Sequence, residues 1–169
     1  YGYAIAIPAC NEEARIRACL DACRLAMARV TLPGIIVVLV NNSDDATEQC
    51  VANWMRDTGW PVICQNIIFP EAMAHAGSAR RAALELARKF TGDSGFLLTT
   101  DADSRPCPHW VEANLLPLKD GTASLVCGAI ELEPSEYSLL PQEVVGDGAV
   151  EGQFRRLALE IDNILDPDP

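Results

Sequence analysis

The chain has 169 residues, a length that suits one domain able to bury its own core. Apolar residues make up 49% and charged residues 22%, which excludes wholesale disorder. The formal charge of −11 argues against a general nucleic-acid or anionic-membrane binder, although a metal or a few local donors can still hold one anion.

In chain order, Tyr3 to Ile7 reads as a short apolar strand stopped by Pro8. Asn11 is placed to cap a helix, with Glu12 and Glu13 in its first turn, where the dipole favours negative charge. Ile16, Cys19, Leu20, Cys23, Met27 and Val30 follow helical spacing, and Glu13 to Arg17 is a favourable i,i+4 pair. Pro33-Gly34 ends that helix. Ile35 to Val40 is continuously apolar, the mark of a strand buried on both faces, and the polar run 41–45 ends it. A helix is predicted over Ala46 to Arg56, a third strand over Pro61 to Ile68, and an Ala- and Arg-rich helix over Ser78 to Phe90. Gly95 to Thr100 is a fourth strand that delivers Asp101-Ala102-Asp103. Pro108 to Leu116 reads as a helix and Ala123 to Leu132 as a fifth strand.

This alternation predicts an α/β fold with a doubly wound, mostly parallel sheet and helices on both faces. Ligands in such sheets bind beyond the carboxyl ends of the strands. The polar clusters 8–12, 41–45 and 101–103 all fall at those ends and should converge on one rim.

Past residue 130 the composition changes: ten acidic residues and two basic ones give the last 39 positions a charge of −8. Two regions are therefore expected, 1–133 as an α/β domain and 134–169 as an acidic extension. The extension ends in an amphipathic helix from about Val150 to Leu165. Its apolar face, with Phe154, Leu157 and Ile161, calls for a cover: the same chain, missing downstream sequence or a second copy, so a homo-oligomer is one expectation. The opening at Tyr1 without Met is read as a trimmed start.

Seven cysteines, at 10, 19, 23, 50, 64, 107 and 127, include no C-x-x-C pair, so neither a disulfide framework nor a zinc ribbon is supported. Cys19 and Cys23 can share a metal or fill the apolar stripe of their helix, and core packing is the commoner use. Reduced thiols point to a cytoplasmic protein. The longest apolar run is strand-sized, far short of the roughly 20 residues of a membrane span.

The chemistry sits in a few residues. Asp101 and Asp103, one residue apart after a buried strand, offer the hard oxygens that Mg²⁺ or Mn²⁺ prefers, while Asp residues in turns serve equally as caps. Gly77 opens a helix whose free N–H groups and positive end suit an anion, and Arg80 adds a forked cation; a glycine turn before solvated arginines is the plain alternative. No Walker loop or dinucleotide fingerprint is present. Pro8 to Glu13 and Asn41 to Asp45 can hydrogen-bond a base and ribose or form ordinary turns. His75 and His109 join no Ser/His/Asp or Cys/His arrangement, and His109 reads as a helix-start residue.

Four segments in order, Pro8-x-x-Asn11-Glu12-Glu13, Val40-Asn41-Asn42-Ser43-x-Asp45-x-Thr47, Gly77-x-Ala79-Arg80 and Thr100-Asp101-Ala102-Asp103, resemble the family-2 glycosyltransferases over about Tyr3 to Leu132. The resemblance implies a GT-A, Rossmann-like fold, a nucleotide-diphospho-sugar donor, a divalent metal (Mn²⁺ or Mg²⁺) and an inverting displacement. It points to Pro8, Ala9 and Glu12 around the base, and to Asn42, where the family often carries Asp, near base or ribose. Gly77 and Arg80 fall toward the nucleotide, Asp101 near ribose and metal, and Asp103 as the more direct metal ligand. The implied acceptor is a sugar, a lipid or a small molecule. The family's acceptor portion and acidic catalytic base have no assigned counterpart here, although Glu131, Glu133 and Glu136 follow the fifth strand. The chain is therefore expected to be the donor-binding part of a larger enzyme, or a member cut or divergent at its carboxyl end, and poor at transfer by itself. A non-catalytic binding module that keeps the fold without turnover is the other reading. A nucleotidyltransferase fits less well, because no Gly-rich phosphate loop follows the first strand.

Overall fold

The computed structural model describes residues 1–131. Four strands, β1 Tyr3–Ala9, β2 Gly34–Asn41, β3 Val62–Ile67 and β4 Phe96–Thr99, form one parallel sheet in the order β3-β2-β1-β4. Between and after them come α1 Ile16–Met27, α2 Thr47–Thr58, a 3-10 turn Glu71–Met73, α3 Ala76–Thr91 and α4 Trp110–Lys119. Residues 1–127 make one compact unit.

The period-2 alternation of β1 sends its side chains to two separate cores. Tyr3, Ile5, Ile7 and Ala9 pack with Cys19, Leu20 and Cys23 of α1, Val51 and Trp54 of α2, and Val111 and Leu115 of α4. Ala4 and Ala6 face the other way, with Ile35, Val37 and Leu39 of β2, against Ala79, Ala83, Leu86 and Ala87 of α3. Alanines on both partners let α3 approach the sheet closely, and this holds its first turn beside the strand ends. Trp54 is fully buried, and its indole N–H donates to Asp21 Oδ1 at 2.9 Å, so its one polar atom is satisfied.

The chain steps outward from β1 to β2 to β3 with α1 and α2 on one face. It then crosses back under the sheet through α3 to place β4 on the far side of β1. Right-handed crossovers require this change of face when the direction reverses. The reversal leaves a crevice between the carboxyl ends of β1 and β4.

Several local expectations are corrected. β1 runs through Pro8 to Ala9 rather than stopping at Ile7. Phe96 N bonds Gly2 O and Thr100 N bonds Ala6 O, so the even-numbered residues of β1 face β4. The missing N–H of Pro8 thus lies beyond Thr99, the last residue of β4, and costs no ladder bond. Asn11 does not cap α1: it sits at φ 56°, and the helix begins at Ile16 after Arg15, with no side-chain cap. Nor do Glu13 and Arg17 pair, because Arg17 reaches Asp57 at 2.9 Å and Glu13 turns to α2. Within the predicted fifth strand, residues 123–131 form no strand among the described residues. β-branched content does not make a strand without a paired ladder, Gly128 interrupts the run, and Leu125 stays exposed. The predicted helix near Val150, and with it region 134–169, lies outside the described residues.

Candidate functional site

The loops after β1 and β2 grip one another. Asn11 N donates to Ser43 Oγ at 3.0 Å, and Asp44 N returns a bond to Asn11 Oδ1 at 2.9 Å. Glu13 N donates to Asp45 Oδ2 and Ala46 N to Glu13 Oε2, each at 2.9 Å. Between these pairs, Glu12 N donates to Thr47 Oγ1 at 2.8 Å, and Thr47 is fully buried. Thr47 Oγ1 passes its own hydrogen to Asp45 Oδ1 at 2.5 Å. Burial pushes the Asp45 carboxyl up, but the bonds from Thr47 and Glu13 together hold it below its ordinary range. Asn11 and Asn42 are the two non-glycine residues at positive φ among those described, a conformation that Asn tolerates better than most. The polar motifs of both loops are thus largely consumed in shaping the loops.

The clasp forms one wall of an open cleft of about 330 Å³ at the β1/β4 crevice. Of the residues predicted for the site, Pro8, Ala9, Glu12, Arg80, Asp101 and Asp103 all line it. Asn42 and Gly77 do not. The Asn42 amide is bound to one backbone unit: Nδ2 donates to Phe69 O at 2.9 Å, and Oδ1 accepts from Phe69 N at 3.0 Å. Gly77 lies under the His75 ring, where a Cβ would come within 3.3 Å of Nδ1.

The opposite wall is built by α3 and the turn after β4. Arg80 forms an ion pair with Asp101 Oδ1, and the two side chains are 41% and 48% exposed. Asp103 projects from the same turn, and Ala102 between them is buried in the core. Glu12 is enclosed more deeply, with its side chain 16% exposed. Arg15 Nε stands 2.9 Å from Glu12 Oε2, close enough for an ion pair but without hydrogen-bond geometry. Burial raises the Glu12 carboxyl above its ordinary value, and the charges of Asp103 and Asp45 add to this against the pull of Arg15. The cleft therefore carries negative potential on its clasp side and a fixed guanidinium on its α3 side.

Among the lining residues outside the predicted site set, Cys10 and Asn41 lie in the two loops read as able to bond a base and ribose, and His75 was not singled out for the site. His75 is the N-cap of α3, its Nδ1 accepting from Ser78 N at 3.2 Å while Ser78 Oγ meets Nε2 at 2.9 Å. The signal was present in His75-Ala76-Gly77-Ser78 at a helix start, but His is an uncommon cap. His109 occupies the start of α4, as expected. Among the described residues no three His, Cys, Asp or Glu side chains form a ready metal cage. No helix among them is long and apolar enough to cross a membrane.

The family model described as glycosyl transferase family 2 matches residues 4–153. No curated protein sequence matches the chain. Among solved structures, S. aureus TarS 1-349 is 17% identical with a TM-score of 0.53, over 78% of this chain and 39% of that one. The same protein in complex with UDP-GlcNAc gives 17% and 0.54, over 78% and 37%. Glucosyl-3-phosphoglycerate synthase from Mycobacterium tuberculosis, in complex with UDP, is 23% identical at a TM-score of 0.46, over 69% and 39%. The chain thus spans about two fifths of the length of the first structures it matches, and it shares their α/β, GT-A-like fold.

Proposed function

This chain belongs to glycosyl transferase family 2, and from that premise we propose that its β1/β4 cleft binds a nucleotide-diphospho-sugar together with Mn²⁺ or Mg²⁺ for transfer of the sugar, with inversion, to an acceptor hydroxyl. The observation that carries the reading is the Arg80–Asp101 pair beside Asp103 at the point where the strand order reverses. A guanidinium and two carboxylates side by side suit a ligand that is itself part anion and part cation, as a metal-bound diphosphate is.

The residues fit the metal. Asp101 and Asp103 offer hard oxygens, and the Glu12 carboxyl, raised by burial and then by Asp103, reports a negative potential that a cation would relieve. With two carboxylates in the turn, phosphate oxygens would complete the coordination, as is usual for Mg²⁺. When bound, the cation neutralises the departing diphosphate.

The chain's own groups bind and orient. Pro8 and Ala9 present backbone at the end of β1, Glu12 is held rigid through Thr47, and Arg80 pairs with phosphate oxygen as it now pairs with Asp101. In the displacement, the acceptor oxygen forms a bond to the anomeric carbon as the bond to the diphosphate breaks. The hydroxyl proton passes to a base that the described residues do not assign.

TarS solved with UDP and with UDP-GlcNAc makes a uridine nucleotide the first probe. Calorimetric titration of UDP and GDP, with Mn²⁺ and with EDTA, should give saturable, metal-dependent uptake; flat titrations for both nucleotides contradict the reading. The second reading, a module that binds without turnover, is favoured by Asn42, whose amide is committed to Phe69 rather than to a ligand. Sugar-nucleotide turnover with a panel of sugar, lipid and small-molecule acceptors tests the enzyme: transfer rules out the module, whereas uptake without transfer fits both the module and a donor-binding part that is poor at transfer by itself.

A further inference from the structure

Cys19 lies on α1, 82 positions before Asp101 in sequence, and is 1% exposed. A residue there needs only to be apolar to serve the helix, yet its thiol makes a specific contact. Cys19 Sγ donates to the backbone oxygen of Asp101 at 3.4 Å. The same oxygen accepts from Ser104 N at 3.1 Å, the bond that closes the Asp101–Ser104 turn. One helical turn along, Cys23 is fully buried, and its Cys19 neighbour together with burial raises its thiol well above the usual range.

We infer that Cys19 is a positioning residue: its S–H···O=C bond fixes the peptide between Asp101 and Ala102 and so aims the Asp101 and Asp103 carboxylates into the cleft. The turn is then tied to the core at two adjacent points, the buried Ala102 side chain and the Asp101 carbonyl. The two carboxylates flank those ties. Rotation of that one peptide would swing both carboxylates together, whereas Arg80 restrains only Asp101. The consequence for ligand uptake rests on the donor-site reading above; the tie itself does not.

The test compares Cys19→Ala, Cys19→Ser and Cys23→Ala. Backbone amide exchange at Ser104 is followed by NMR, with UDP affinity in Mg²⁺ measured alongside. Cys19→Ala should speed Ser104 exchange about fivefold, the worth of one hydrogen bond, and weaken UDP by a similar factor. Cys19→Ser keeps a donor and should restore both. Cys23→Ala removes the same volume from the same helix face without touching Asp101, and should move each by less than about twofold. Equal effects of Cys19→Ala and Cys23→Ala, or unchanged Ser104 exchange in Cys19→Ala, overturn the inference. If the parent takes up no UDP, the donor-site reading falls, and the Ser104 comparison still decides the role of Cys19.

Discussion

The two walls of the cleft are built on opposite principles. The β1–β2 wall is a lattice of short bonds between backbone amides and side chains 32 to 35 positions apart, closed around the buried Thr47. The α3–β4 wall presents a half-exposed ion pair and a carboxylate on a four-residue turn. The bond between Glu12 N and the buried Thr47 is costly to break, while exposed ion pairs contribute little to stability and exchange partners readily. On the proposed reading, the first wall is the platform for the base. On the same reading, the second is a charged surface on which Arg80 trades Asp101 for phosphate.

The sharpest way to break this contrast is Thr47→Val. It leaves Glu12 N without its acceptor and takes the hydroxyl donor from Asp45, which keeps its bonds from Thr47 N and Glu13 N, and should cost about 1–3 kcal/mol in urea denaturation. A loss under about 0.5 kcal/mol would mean that the clasp is decoration. Arg80→Ala should do the reverse. Unfolding should change by less than about 1 kcal/mol, since the pair is largely solvated, while UDP affinity falls about 10- to 100-fold with or without metal. Equal UDP binding by the parent and Arg80→Ala would reduce Arg80 to a surface residue of α3.

Asp103→Asn probes the charged wall more finely. Affinity for UDP in Mn²⁺ should fall about tenfold or more, and in EDTA by much less. Equal losses in both buffers remove Asp103 from the metal. The smallest effect concerns Glu12, whose folded carboxyl is raised. Stability from such a group is complete below the unfolded value and is lost as pH rises through the folded one. Glu12→Gln should therefore be more stable than the parent at pH 7, and the gap should close as the pH falls below the ordinary carboxylate range. A gap that widens on acidification would reverse the sign of the assigned shift.

What the sequence disclosed divides along the same line. Continuous apolar runs announced β2 and β4, and the helical stripe of Ile16, Cys19, Leu20 and Cys23 announced α1, because burial dictates those patterns locally. The carboxylates after β4 were legible from the short apolar run before them, although the strand expected to be buried lies at the edge of the described sheet with only Leu98 buried. The clasp was not legible. Asn11, Glu13, Ser43 and Asp45 each look like caps or turn residues in isolation, and their partners lie more than 30 positions away. Pro8 misled because its harmlessness depends on where β4 stops, a fact of the neighbouring strand. Asn42 was placed near a ligand by resemblance, and its bond to Phe69 depends on the path of the chain after β3.

The central claim is that one cleft brings residues 8–12, 76–80 and 101–104 to a single metal-bound nucleotide. Adding UDP and Mg²⁺ to isotope-labelled protein and mapping the backbone amide shifts by NMR tests it most directly. The account predicts saturable shifts concentrated in those three segments, with the Arg80→Ala protein needing far more UDP to reach them. Shifts confined to other surfaces, or none at millimolar nucleotide, would contradict it.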